Sequence, residues 1–103
     1  MKVVFTDRAR DHIDERLAYS VARFGQDVTE RTFRRLDAYI HGSLARHPDT
    51  AGDQQPGRDF YAAWAPGTPF FVIYRFDTTN DTVTVLAIYH HAQERSTFDP
   101  DRG

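Results

Sequence analysis

Cysteine is absent, which excludes disulfides, thiolate metal sites and a cysteine nucleophile together. Small secreted domains usually lean on disulfides, so their absence predicts a reducing, cytoplasmic setting. Lysine is almost absent too: Lys2 stands alone against twelve arginines, and the net charge is −2. Nucleic-acid-binding domains carry a basic excess, so the bulk charge lends that class no support, although arginine suits bidentate and stacked contacts. No apolar run approaches the roughly 20 residues that span a bilayer, and the charged start Met1–Arg8 lacks a signal-peptide core, so no membrane partner is expected. A Gly-rich phosphate loop, a nucleophile elbow and a paired-histidine helix motif are all missing, and neither a metal nor a cofactor is expected.

What is present is an ordinary share of apolar residues, rich in aromatics: eight Phe, five Tyr and one Trp in 103 residues. Such side chains supply much of the apolar area that a small core needs. Val3-Val4-Phe5 reads as a short strand, and Thr6 as the cap of a helix over Asp7–Phe24. Along that helix Ala9, Ile13, Leu17, Val21 and Phe24 recur at three- and four-residue steps, and Gly25 ends it. Asp27, with Glu30 three residues on, reads as the start of a second helix that buries Phe33, Leu36, Ile40 and Leu44 and stops at Pro48. Asp49–Gly57 reads as a loop.

Three strands are expected next, at about Arg58–Ala65, Pro69–Phe76 and Thr82–His90, joined by turns at Ala65-Pro66-Gly67-Thr68 and Thr78-Thr79-Asn80-Asp81. The fold class is therefore α+β, ordered β-α-α-β-β-β, with a helical hairpin packed on one face of a small antiparallel sheet. Residues 1–95 form a single domain on this reading, and 96–103 a polar, flexible tail.

Two groups of side chains are candidate sites. Arg58, Arg75 and Arg95, with Tyr89, His90, His91 and Gln93, stand where they would converge on the sheet face that the hairpin leaves open. Arginine and tyrosine so placed suit phosphate binding and stacking, and imidazole titrates near neutrality. Asp59, Asp77, Asp81 and Glu94 interleave with them, which favours ordinary surface ion pairs. His90 and His91 are adjacent in a strand, so they should point to opposite faces and make a poor chelating pair. His12, His41 and His47 show no ligand spacing and read as structural. Tyr61, Trp64 and Phe76 are candidate apolar anchors for a protein partner.

Taken in order, these segments resemble the RelE/ParE superfamily of bacterial toxins. The likeness rests on Val4-Phe5-Thr6 with Ala9, the helix pair with Phe33 and Leu36, Phe71-Val72-Ile73-Tyr74-Arg75-Phe76, and Val83 through Arg95 with its Tyr89-His90-His91-Ala92-Gln93 ending. It implies the toxin half of a type II toxin–antitoxin pair, a hetero-oligomer in which a small antitoxin wraps the toxin with its C-terminal segment. ParE-like members inhibit DNA gyrase by binding it, without a catalytic centre. RelE-like members cleave messenger RNA on the ribosome with basic residues and a Tyr or His near the last strand. On the latter branch Arg58, Arg75, Tyr89, His90 and His91 would be catalytic; on the former, Tyr61, Trp64, Phe76, Gln93 and Arg95 would serve binding. The long helices, the slightly negative charge and the missing lysines favour ParE. Outside these branches stands a non-toxic interaction module of the same fold.

Overall fold

The structure is a computed structural model and describes residues 1–91 and 99. Gln93, Arg95 and most of the expected tail lie outside the described residues. Strand β1 (Lys2–Phe5) leads into helix α1 (Asp7–Phe24) and helix α2 (Gln26–Tyr39), which continues through a π turn at Ile40–Leu44. A short helix α3 (Pro48–Ala51) and strands β2 (Asp53–Gln54), β3 (Tyr61–Trp64), β4 (Phe70–Asp77) and β5 (Thr82–His90) complete the order. The strands form one five-stranded sheet, β1-β5-β4-β3-β2. The β3-β4-β5 meander is antiparallel as expected, whereas β1 pairs with β5 in parallel and makes the sheet mixed.

Thr6 sets the entry to α1. Its hydroxyl oxygen accepts the Ala9 N–H at 3.1 Å, a helix N-cap, and its backbone N–H extends the sheet to the Val85 carbonyl. Gly25 closes α1 and opens α2 at once, with φ 88°, a conformation that L side chains rarely adopt and glycine takes freely. The second helix therefore begins two residues earlier than the Asp27 capping pair predicts. Asp27 lies in its first turn, and Glu30 accepts from the Gln26 amide at 3.2 Å instead of capping. The stretch read as a loop holds α3 and β2: Pro48 opens a helix turn where its missing N–H is harmless, and β2 pairs with β3.

The hairpin covers one face of the sheet. Leu36, Ile40 and Leu44 from α2 and the π turn pack with Ala9 of α1 against Val72, Tyr74, Val83, Val85 and Ile88. Tyr74 is fully buried, and its hydroxyl donates to the Pro48 carbonyl at 2.7 Å, tying α3 to the centre of the sheet. Burial keeps this phenol un-ionised far above its ordinary range. Each of these aliphatic side chains contributes on the order of 2 kcal/mol by leaving water.

Beyond Val85, β5 has no strand on the edge that β1 covered. Side chains from α1 replace it: the Thr6 hydroxyl reaches the Leu86 carbonyl at 3.2 Å, and His12 Nδ1 accepts the Ile88 N–H at 3.2 Å. That bond needs a neutral imidazole, and burial first, then the nearby Arg8, lower the His12 pKa. The unfolded chain thus binds a proton at His12 more readily than the folded one. Stability from this site is whole above about pH 6.5, the unperturbed histidine value, and is lost as pH falls through the lowered folded value. Urea unfolding midpoints should accordingly fall on acidification, and His12→Asn, which keeps an acceptor but takes no proton, should flatten part of that fall; an unchanged slope would contradict the assignment.

Candidate functional site

A single register step in the sheet decides which side chains share a face. Ile73 pairs with Ala87 but Tyr74 pairs with Val85, so Leu86 is an extra residue in β5. Before this bulge Val83 and Val85 face the helices; after it Ile88 does, while Leu86 and Ala87 both join Phe60 and Ile73 in a second buried cluster on the far face. Alternation then sends Tyr89 to the far face and His90 to the helix face. His90 stands edge-on to Phe70, centroids 6.2 Å apart, and Tyr89 packs beside the far cluster, its ring 5.5 Å from His12.

The residues expected to converge are consequently divided. Arg58 lies over the Phe60 ring at 4.8 Å, and Arg75 pairs with Asp59 at 3.2 Å, so the latter is the surface ion pair that the interleaved acids favour. Tyr89 is opposite Phe71, four residues along β4 from Arg75, or about 13 Å at the usual rise per strand residue. His90 is across the sheet from all three. His91 follows the last strand residue, and its ring lies 4.3 Å from that of His90. The two rings are thus neighbours, contrary to the opposite faces expected of a continuing strand, because strand geometry ends at His90. Among the described residues no group of three or more His, Cys, Asp or Glu is placed to hold a metal.

The far face is not bare, since Phe60, Ile73, Leu86 and Ala87 are buried there. The expected anchors are also divided. Tyr61 and Phe76 sit at the margin of the helix-covered core, their rings 5.1 Å apart, and Tyr61 stacks on Tyr74. Trp64 alternates to the far side and is 56% exposed, its indole N–H donating to the Thr68 carbonyl at 2.8 Å across the Ala65–Thr68 turn. Gly67 there has φ 76°, as a type II turn requires.

A concave feature lies at the tip of the hairpin, where periodicity alone assigns core. Ala9 is fully buried, but further along the same stripe Val21 and Phe24 are 41% and 57% exposed. With Tyr19 and, across the Gly25 link, Val28, they form an apolar tip. Beneath it a groove of about 680 Å³ runs between the distal α1–α2 hairpin and the sheet, floored by Pro69, Phe70 and His90. Its polar side chains are Arg16, Ser20, Thr32 and His90. Ser20 is occupied with Thr29, their hydroxyl oxygens 2.7 Å apart. Burial, then His91 and Arg16, lower the His90 pKa, so the ring is neutral near pH 7. The sequence reading missed Arg16, Tyr19, Phe24 and Val28 as site residues. Their signal is an apolar stripe that continues to a helix–helix link, where chain is ordinarily solvated.

A helical hairpin on a sheet of this order is the fold that the chain shares with toxins of the RelE/ParE class. The chain belongs to the ParE toxin family of type II toxin–antitoxin systems, whose family model matches residues 3–95. Solved structures that share the fold include the following three. The first is the chromosomal ParDE system of P. aeruginosa, with TM-score 0.74, 14% identity, and 87% of this chain and 95% of that chain covered. The RelBE2 toxin–antitoxin complex of Mycobacterium tuberculosis follows, with TM-score 0.63, 20% identity, and coverage of 89% and 92%. The intact E. coli RelBE complex has TM-score 0.56, 17% identity, and coverage of 91% and 98%. No curated protein matches the chain in sequence. No described helix is long and apolar enough to cross a membrane.

Because the tip is exposed, it contributes little to the fold. Phe24→Ser should change folding stability by no more than about 0.5 kcal/mol, whereas Leu36→Ala should cost about 2–5 kcal/mol. Urea titrations of the two variants test this, and a large loss in Phe24→Ser would mean that the tip is core.

Proposed function

We propose that this chain is a ParE-like toxin that acts by binding DNA gyrase and is neutralised by a cognate antitoxin whose segment occupies the hairpin groove. The observation carrying the antitoxin seat is the clustering of exposed apolar side chains. Of the six large ones among the described residues, Tyr19, Val21, Phe24 and Val28 crowd one end of the hairpin. Contiguous exposed apolar surface beside a groove marks an interaction site. The solved relatives that include ParDE and RelBE are toxin–antitoxin systems, which supports a protein occupant.

Two observations favour gyrase over the ribosome. The family is ParE, and the side chains that an RNA-cleaving mechanism would require do not gather at one point. A general base must come within hydrogen-bond reach of the hydroxyl it activates while a cation holds the phosphate. His90 lies on the opposite face from Arg75 and Tyr89, and Arg75 is engaged with Asp59. Binding a protein target requires no such convergence.

Pulse labelling after induced expression in a bacterium separates the readings. DNA synthesis should fail first while translation continues. Immediate arrest of translation would replace this reading with ribosome-dependent RNA cleavage and return Arg58, Arg75, Tyr89, His90 and His91 to the active site. Growth with neither affected would leave a non-toxic interaction module.

A further inference from the structure

The groove at the hairpin tip carries a positive charge that no described side chain offsets. Arg16 is half-buried at its wall, and its Nε is shielded from solvent without a hydrogen-bond partner among the described residues. A guanidinium does not escape by losing its proton. Among the described residues no aspartate or glutamate lines the groove; Asp11, Asp14 and Glu15 on the same helix are all solvent-exposed and lie outside it. His90 in the lining has its pKa lowered, first by burial and then by the neighbouring His91 and Arg16, which favours the neutral ring. The described lining therefore presents one fixed positive charge, no negative charge, and an apolar rim formed by Phe24 and Val28.

Each simple occupant fails on one of these features. A wholly apolar segment would bury the tip but strip water from Arg16 without replacing its hydrogen bonds, which is costly. A free anion would pair with Arg16 but leave the apolar rim wet. A nucleic acid would match the guanidinium, yet its phosphates gain nothing from Phe24 and Val28. A peptide segment with a carboxylate set among apolar side chains satisfies both.

We propose that the partner segment seated in this groove is amphipathic and places one Asp or Glu carboxylate on Arg16 while its apolar side chains cover Phe24 and Val28. This rests on the reading of the groove as the antitoxin seat and adds the chemistry by which the segment is chosen. Arg16 and Phe24 are eight residues apart on α1, about 12 Å along a helix axis. A partner helix lying along α1 thus carries its acid about two turns from the side chain over Phe24. The pair sets register, because sliding by one turn would leave both Arg16 and the acid desolvated and unpaired.

The test uses the purified product of the adjoining antitoxin gene, titrated calorimetrically into the wild type, Arg16→Gln, Arg16→Glu and Phe24→Asp, with circular dichroism confirming that each variant is folded. Arg16→Gln should weaken binding at least 10-fold, Arg16→Glu further, and Phe24→Asp should also weaken it. Changing one acidic residue of the antitoxin to Lys should restore affinity for Arg16→Glu and not for Phe24→Asp, a recovery that a merely structural role for Arg16 would not produce. Equal affinity for the wild type and both Arg16 variants, or loss that no charge reversal restores, overturns the pairing while the toxin–antitoxin reading stands. An antitoxin that fails to bind the wild type overturns that reading and the pairing with it.

Discussion

The unpaired upper edge of β5 is the constraint on which the arrangement depends. β1 covers that edge for four residues only, from Thr82 to Val85. A buried backbone group left without a partner costs about 1–3 kcal/mol, so the edge above Val85 has to be met by something else. Thr6 meets it while also capping α1, and His12 meets it one pair further on. One threonine thereby ends the strand, starts the helix and fixes the helix against the sheet. The direction of α1, and with it the whole hairpin, follows from this anchorage.

Anchorage at one end determines what the other end is free to do. α1 has 18 residues, about 27 Å of helix, and its buried contacts with the sheet are concentrated in the first half. Past Leu17 the stripe continues, but a groove separates it from the sheet. The helices remain joined there by the compact Gly25 link and the Ser20–Thr29 hydroxyl pair, which are satisfied locally. Tip stability thus comes from helix–helix contact and hydrogen bonding, and the apolar side chains of the tip remain available to a partner. A core of 12 buried residues under the proximal hairpin supports the domain without them.

Much of this was legible in the sequence where the signal is local. The Thr6 cap, the bounds of α1, the Gly25 break and the Pro66-Gly67 turn each rest on a residue whose chemistry leaves few choices. β5 was legible over its full length because its β-branched and aromatic run ends in polar residues. The mixed sheet, β2 and the π turn were not, since parallel pairing and a two-residue strand have no periodic pattern of their own. The capping pair at Asp27 and Glu30 misled because Gly25 serves both helices and moves the start of α2. The candidate site was legible as residue types but not as a place. The bulge at Leu86 leaves no sequence mark, and without it the last strand cannot be assigned to faces.

That bulge also links the two chemistries considered for this fold. With uninterrupted alternation from Val85, Ala87 and Tyr89 would face the helices, and Leu86, Ile88 and His90 would share the far face with Arg75. An imidazole, a guanidinium and a neighbouring arginine would then stand on one surface, the minimum for acid–base work on a phosphodiester. One extra residue reverses the phase. It buries Ile88 in the main core, places His90 on the floor of the apolar groove beside Arg16, and leaves Arg75 to pair with Asp59. The same step that separates His90 from Arg75 sets His90 on the floor of the groove, so within this sheet the two placements are alternatives.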